Sequence, residues 1–203
     1  MMMYMAKLYF RYGAMNSGKS TALIQVAHNY EERGMNVLIL KPSIDSKGGD
    51  KVVSRLGVSR NVDITADKNM NAYSAVQQWH KDVDKIDCVL VDEAQLLQQE
   101  QIDQLFNLSV YDNIPVICYG LRTDFKTRLF PASKRLFALA HSIEELKTIC
   151  RCGSKAMLNA RKSGDQFTFS GDQVAIDGVS ETSYESLCGK CYFDELANSA
   201  VVD

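Results

Sequence analysis

Apolar residues in this chain gather in short runs bounded by glycine, proline or charge. Leu8-Tyr9-Phe10 lies within an apolar segment over residues 6–12, and Val37-Leu38-Ile39-Leu40 is stopped by Lys41-Pro42. Cys88-Val89-Leu90-Val91 ends in Asp92-Glu93, and Pro115-Val116-Ile117-Cys118-Tyr119 closes on Gly120. Runs without polar alternation are the mark of strands covered on both faces. Between them the period changes. Leu23, Ile24, Ala27 and Tyr30 share one side of a helix predicted over Ser20–Arg33, with Gly34 as its C-terminal cap. Helices are also predicted over 71–81, around Tyr73, Val76 and Trp79, over Gln98–Leu108, and over 132–140. A short strand is predicted at 61–65, and a last strand or extension from Ile143 to Ile149. Strand, helix and strand in alternation imply βαβ units and a parallel sheet. Residues 43–60 are polar, with Gly48-Gly49-Asp50 at their centre, and read as a mobile loop.

The first junction carries the strongest chemical signal. Gly13-Ala14-Met15-Asn16-Ser17-Gly18-Lys19-Ser20 has the form G-x-x-x-x-G-K-S, between a strand and a helix. The glycines allow a tight turn that aims amides inward, and the helix dipole adds positive potential. Lys19 is placed to reach the β- and γ-phosphates of a nucleotide, and Ser20 to ligate magnesium. The third apolar run ends in two acids, at the sheet edge where open α/β folds bind ligands. Asp92 is placed to hold magnesium, directly or through water, and Glu93 to accept a proton.

The chain has 203 residues, six of them cysteine, and a net charge of −2. No basic field recruits nucleic acid, and no apolar run spans a membrane. Met1 to Met5 lacks the layout of a signal peptide, so a cytoplasmic protein with reduced thiols is expected. Cys88 and Cys118 lie inside apolar strands and read as packing residues. Cys150-Arg151-Cys152 and Cys188-Gly189-Lys190-Cys191 form two close pairs around a 35-residue insert. Together they predict a four-thiolate structural zinc site without zinc chemistry, although the first pair is tighter than the usual C-x-x-C. The stretch Phe167–Tyr184 between them reads as a loop or hairpin. His28, His80 and His141 fall outside every motif and receive no catalytic role. Phe125 and Phe130, on composition alone, read as core.

These residues resemble the type II thymidine kinases, the cellular and bacterial group, over about residues 6–195. The likeness rests on Tyr9–Ser20, Asp92-Glu93-Ala94-Gln95, Cys118–Phe125, Leu146–Cys150 and Cys188-x-x-Cys191-Tyr192. It implies a RecA-like α/β domain, a P-loop parallel sheet with helices on both faces, over 1–145. It further implies a small zinc-ribbon domain carrying a lasso loop over 146–195, and a tail over 196–203. ATP would lie on Gly13–Ser20 and Asp92–Gln95. Glu93 would be the general base toward the thymidine 5′-hydroxyl. Met15, Leu96, Phe125, Phe130 and Tyr184 would line the nucleoside pocket. The lasso would run from about Phe167 to Ser183. The resemblance also implies a homotetramer inhibited by thymidine triphosphate. The chain departs from the family pattern in three places. Leu96 stands where many relatives carry Phe. Asp45-Ser46-Lys47 replaces Asp-x-Arg, with Lys47 or Arg55 in the arginine's stead. Ile176-Asp177-Gly178 replaces Ile-Gly-Gly.

The expected reaction is transfer of the γ-phosphate of Mg·ATP to thymidine. Asp92-Glu93-Ala94-Gln95 also resembles the D-E-A-x box of helicase motors. A helicase needs a second RecA-like domain, for which 203 residues leave no room, and the charge balance lacks a basic track. A nucleotide-binding zinc-ribbon adaptor without turnover is the third alternative.

Overall fold

The computed structural model describes residues 5–45, 48–83, 85–173 and 182–199. Six strands form one parallel sheet: β1 (Leu8–Tyr12), β2 (Val37–Pro42), β5 (Ile64–Ala66), β6 (Cys88–Val91), β7 (Val116–Gly120) and β8 (Ser142–Glu145). Their order is β5-β2-β6-β7-β1-β8. Every pairing in it is parallel. Four helices cover it: α1 (Lys19–Glu31), α2 (Ala72–Trp79), α3 (Gln99–Tyr111) and α4 (Pro131–Leu139).

The apolar runs explain the layering. All of β2, β6 and β7 is buried. Successive residues point to opposite faces, so each strand supplies two cores. Val37 and Ile39 of β2 pack with Leu23 and Ala27 of α1. Leu38 and Leu40 pack with Val76 of α2, Ile102 and Leu105 of α3, and Leu136 of α4. Each fully buried Leu or Ile contributes roughly 1.5–3 kcal/mol. Helices thus stand on both faces, one on the first and three on the second. Cys88 and Cys118 sit in opposite cores, as packing residues. Burial pushes the Cys88 thiol up to about 12.

The other departures from sequence are local. Residues 43–60, expected to be a loop, contain strand β3 (Lys51–Val53), which pairs antiparallel with β4 (Ser59–Asn61). Val52 pins this hairpin to the α1 side, where it is almost fully buried. The strand expected at 61–65 is divided between β4 and β5 at Val62-Asp63. Asp63 accepts the Ile39 amide at 2.7 Å there. The predicted 71–81 helix ends as α2 followed by a 3-10 turn, His80–Asp82. The 143–149 strand breaks after Glu145, and Leu146 instead donates its amide to the Tyr12 carbonyl at 2.7 Å.

Beyond β8 the chain builds a second, smaller layer. β9 (Thr148–Ile149) pairs with β10 (Lys155–Ala156). β11 (Leu158–Ser163) pairs with β12 (Gln166–Thr168) and β13 (Thr182–Leu187), all antiparallel. α5 (Gly189–Ser199) closes the layer and extends into the expected 196–203 tail. Cys150, Ala156, Leu158, Ala160, Leu187 and Tyr192 form its compact core. Lys47, Ile176-Asp177-Gly178 and much of the expected lasso lie outside the described residues. Among the described residues no helix is long and apolar enough to cross a membrane.

Candidate active site

The glycine-bounded loop leaves the C-terminal end of β1 and enters α1. Its shape is enforced by backbone geometry. Gly18 has φ 79° and Asn16 φ 64°, both left-handed, where glycine and asparagine cost least. Gly13 is required for space: an added Cβ would lie 2.5 Å from the Leu146 carbonyl oxygen and would collide with Ser17 Oγ. α2 is capped by the Asn71 side chain and α3 by a Gln98/Gln101 capping box, whereas α1, like α4, has no side-chain cap. At the end of the glycine-bounded loop the first amides of α1 are open to an anion. Lys19 is buried, and its Nζ donates to the Ala14 carbonyl at 3.0 Å. That bond curls the ammonium back over the loop.

Two residues hold the loop from the far layer. Asn159 Oδ1 of β11 accepts the Met15 amide at 2.7 Å, and the Ser186 hydroxyl of β13 donates to the Met15 carbonyl. Both were missed in the sequence. No local pattern marks a lone Asn or Ser in a strand whose partner is more than a hundred residues away.

The acids follow β6. Asp92 is buried, and its Oδ1 has no hydrogen-bond partner among the described residues. Burial, then the neighbouring Glu93 charge, pushes its carboxyl up to about 7, while Lys19 pulls the other way. A buried, reluctantly ionised carboxylate with one oxygen unsatisfied is the environment a divalent cation relieves. The residues present therefore fit magnesium.

Glu93 adopts φ 47°, an uncommon conformation for glutamate that turns the chain sharply out of the strand. Gln95 Nε2 donates to Glu93 Oε2 at 2.6 Å, and Gln95 Oε1 accepts the Leu121 amide at 2.9 Å. Gly120 backs onto this glutamine, and an added Cβ there would lie 2.7 Å from Gln95 Oε1. Gly13 in turn donates its amide to the Gly120 carbonyl at 3.2 Å. The loop, Gly120, Gln95 and Glu93 thus form one connected edge across β1, β7 and β6. Leu96, half-buried, follows in a 3-10 turn, Ala94–Leu96.

The predicted aromatics lie on the other flank. Phe125 and Phe130 are almost fully buried, as composition suggested. Phe125 nevertheless meets the second layer. The Arg161 guanidinium stacks 3.6 Å from its ring centroid, and Tyr192 donates its hydroxyl to the Phe125 carbonyl at 2.5 Å. Tyr184 is half-buried and accepts from Arg161 Nε at 3.1 Å. Met15 is half-buried within the loop. Neither Arg161 nor the Tyr192 bond is marked by any local sequence pattern.

The four cysteines converge. Their sulfurs lie within 4.8 Å of one another, although Cys150 and Cys152 come from one turn and Cys188 and Cys191 from the start of α5. Hydrogen bonds from Ser154 hold the Cys152 thiol down to about 6, and the neighbouring thiols push Cys191 up to about 12. Four clustered sulfurs are a donor set suited to a thiophilic cation in tetrahedral coordination.

Open helix amides, a lysine and a cation-seeking carboxylate on one sheet edge suit a polyphosphate. They place the α/β layer among the P-loop nucleotide-binding folds. The family profile described as thymidine kinase matches residues 6–192. A thymidine kinase of Idiomarina loihiensis is 47% identical over 92% of this chain and 95% of its own length. That of Shewanella oneidensis is 46% identical over 92% of this chain and 96% of its own. That of Enterobacteria phage T4 is 45% identical over 95% of this chain and 97% of its own. The chain belongs to the thymidine kinase family.

Proposed function

We propose that the protein transfers the γ-phosphate of ATP to the 5′-hydroxyl of thymidine, giving thymidine monophosphate. The observation that carries this reading is the connected edge from Gly13 through Gln95 to Glu93. It fixes a carboxylate and a phosphate cradle on one rigid frame. Gly13–Ser20 hold the triphosphate through their amides, with Asp92–Gln95 closing the nucleotide side. The Lys19 ammonium neutralises the β/γ oxygens as charge shifts between them. Ser20 and Asp92 would hold magnesium, which would supply positive charge to offset that of the phosphates. Glu93, oriented by Gln95, takes the proton from the attacking hydroxyl. Such a base is typically worth about 10²–10⁴ in rate.

The acceptor lies against Met15, Leu96, Phe125, Phe130 and Tyr184. Cys150, Cys152, Cys188 and Cys191 would hold a structural zinc with no part in the chemistry. The second layer is then the zinc-ribbon domain, and its 167–183 segment the lasso. Support for this division, for a cytoplasmic homotetramer and for feedback by thymidine triphosphate comes from the family resemblance.

The test supplies ATP and magnesium with thymidine, with DNA, or with neither. Thymidine-dependent ADP release, with phosphate appearing on the 5′-oxygen, is the expected result. DNA-dependent release would instead mark a motor ATPase, and no stimulated release an adaptor.

A further inference from the structure

Arg161 lies in the middle strand of the three-stranded sheet and is only 7% exposed. Its guanidinium touches three separate pieces of chain. One plane faces the Phe125 ring at 3.6 Å, from the loop between β7 and α4. Its Nε donates to the Tyr184 hydroxyl at 3.1 Å, on the paired strand β13. Its Nη2 donates to the Asp172 carbonyl at 2.8 Å, beyond β12. Gly171, at φ 101°, lies beside the head, where an added Cβ would stand 3.4 Å from Arg161 Nη1. Among the described residues its partners are thus a ring face, a phenol and a carbonyl.

Burying a guanidinium is costly unless its donors are used. Here they are spent on orienting two aromatic side chains and one stretch of backbone. A planar fork can stack with its face and donate with its edge at the same time, which a lysine ammonium cannot. The neighbouring Lys126 adds to the same arrangement, donating to the Gly171 carbonyl and lying 5.4 Å from the Phe125 ring.

We infer that Arg161 is a positioning residue for the nucleoside acceptor: it sets the planes of Phe125 and Tyr184, and so governs affinity for the base without touching the phosphate donor. The inference rests on the assignment of Phe125 and Tyr184 to the acceptor pocket. Loss of the fork lets Tyr184 rotate and removes the cation that flattens against Phe125. The loop at Gly13–Ser20 is held by other residues, Asn159 and Ser186, and is unaffected.

The test uses the full chain carrying Arg161→Lys, Arg161→Met and, separately, Tyr184→Phe and Tyr184→Ala. Steady-state kinetics are read against thymidine and against ATP, alongside metal content. Arg161→Lys is expected to raise KM for thymidine about tenfold and Arg161→Met up to about a hundredfold, the range of one or two lost charge-assisted bonds. KM for ATP and bound metal should stay within about twofold of the parent, a change worth little in free energy. Tyr184→Phe should raise KM for thymidine in the parent and add little in the Arg161→Lys background. An unchanged KM for thymidine in both Arg161 variants would overturn the inference. So would parallel losses in both KM values and in metal, or an Arg161→Lys protein that fails to fold, since each marks a purely structural residue. Failure of the acceptor-pocket reading looks different: Tyr184→Ala would leave KM for thymidine untouched, or the parent would show no thymidine-dependent turnover at all.

Discussion

Two adjacent carboxylates at the end of β6 have opposite environments, and that contrast sets their chemistry. Asp92 is buried with one oxygen unsatisfied, and Glu93 is half-buried and held by an amide. Glu93→Gln keeps the Gln95 contact possible and removes the basic oxygen. It should lower kcat by about 10²–10⁴ with ATP affinity retained, read by single-turnover kinetics and nucleotide titration. Asp92 yields a stability prediction. Its carboxyl is raised from 3.8 to about 7, so the native state binds the proton more tightly than the unfolded chain. Stability from this group is present at low pH and is lost as pH rises from about 4 to about 7. Asp92→Asn removes that loss. Without added magnesium the variant should be more stable than the parent at pH 8, by up to a few kcal/mol, and the gap should shrink on acidification toward pH 5. Denaturant melts at both pH values check this, and an equal gap at both would refute it. Magnesium-dependent turnover of the variant should be lost.

At the scale of elements, the phosphate loop is a strand end, a turn and a helix start held from outside. Asn159→Ala leaves the Met15 amide without its acceptor, at a cost of about 1–3 kcal/mol. It should raise KM for ATP by roughly fivefold to a hundredfold, measured with thymidine saturating. A smaller change would mean the loop keeps its shape unaided. Gly13→Ala should abolish nucleotide binding outright, because the Leu146 carbonyl occupies the space. Much of the element pattern was legible because β2, β6 and β7 are doubly buried and therefore unbroken in hydropathy. The G-x-x-x-x-G-K-S loop and the acids after β6 were legible because their chemistry demands fixed local spacing. The β3–β4 hairpin was not, since its strands are short, mostly exposed and anchored by Val52 alone in the core. α5 was hidden because its exposed turns carry few apolar residues and Tyr192 alone is fully buried. Asn159, Ser186 and Arg161 were illegible for a different reason. Their roles come from tertiary pairing, which leaves no periodic trace.

At the scale of the molecule, the cysteine cluster stands at the base of the strands that reach the site. Cys150 and Cys152 precede β10 and β11, and Cys188 and Cys191 follow β13. Removing the metal with a thiol-competent chelator, or substituting Cys191→Ser, should loosen these strands together. The expected result is a Tm lowered by several degrees, with KM raised for both thymidine and ATP, because Arg161 and Tyr184 at the acceptor flank and Asn159 and Ser186 at the phosphate loop all stand on β11 and β13. Calorimetry and kinetics on the same chelated sample check it. Retained Tm and kinetics after verified metal loss would sever the link.

The anchoring of Met15 joins residues 144 and 171 positions apart in the chain. The phosphate signature is therefore written near the beginning of the polypeptide and becomes operative only near its end. Closing such distant contacts is slow compared with forming α1 or the first βαβ unit. Nucleotide affinity should accordingly report completed folding. During refolding, ATP protection would lag behind helical signal and arrive together with docking of β13.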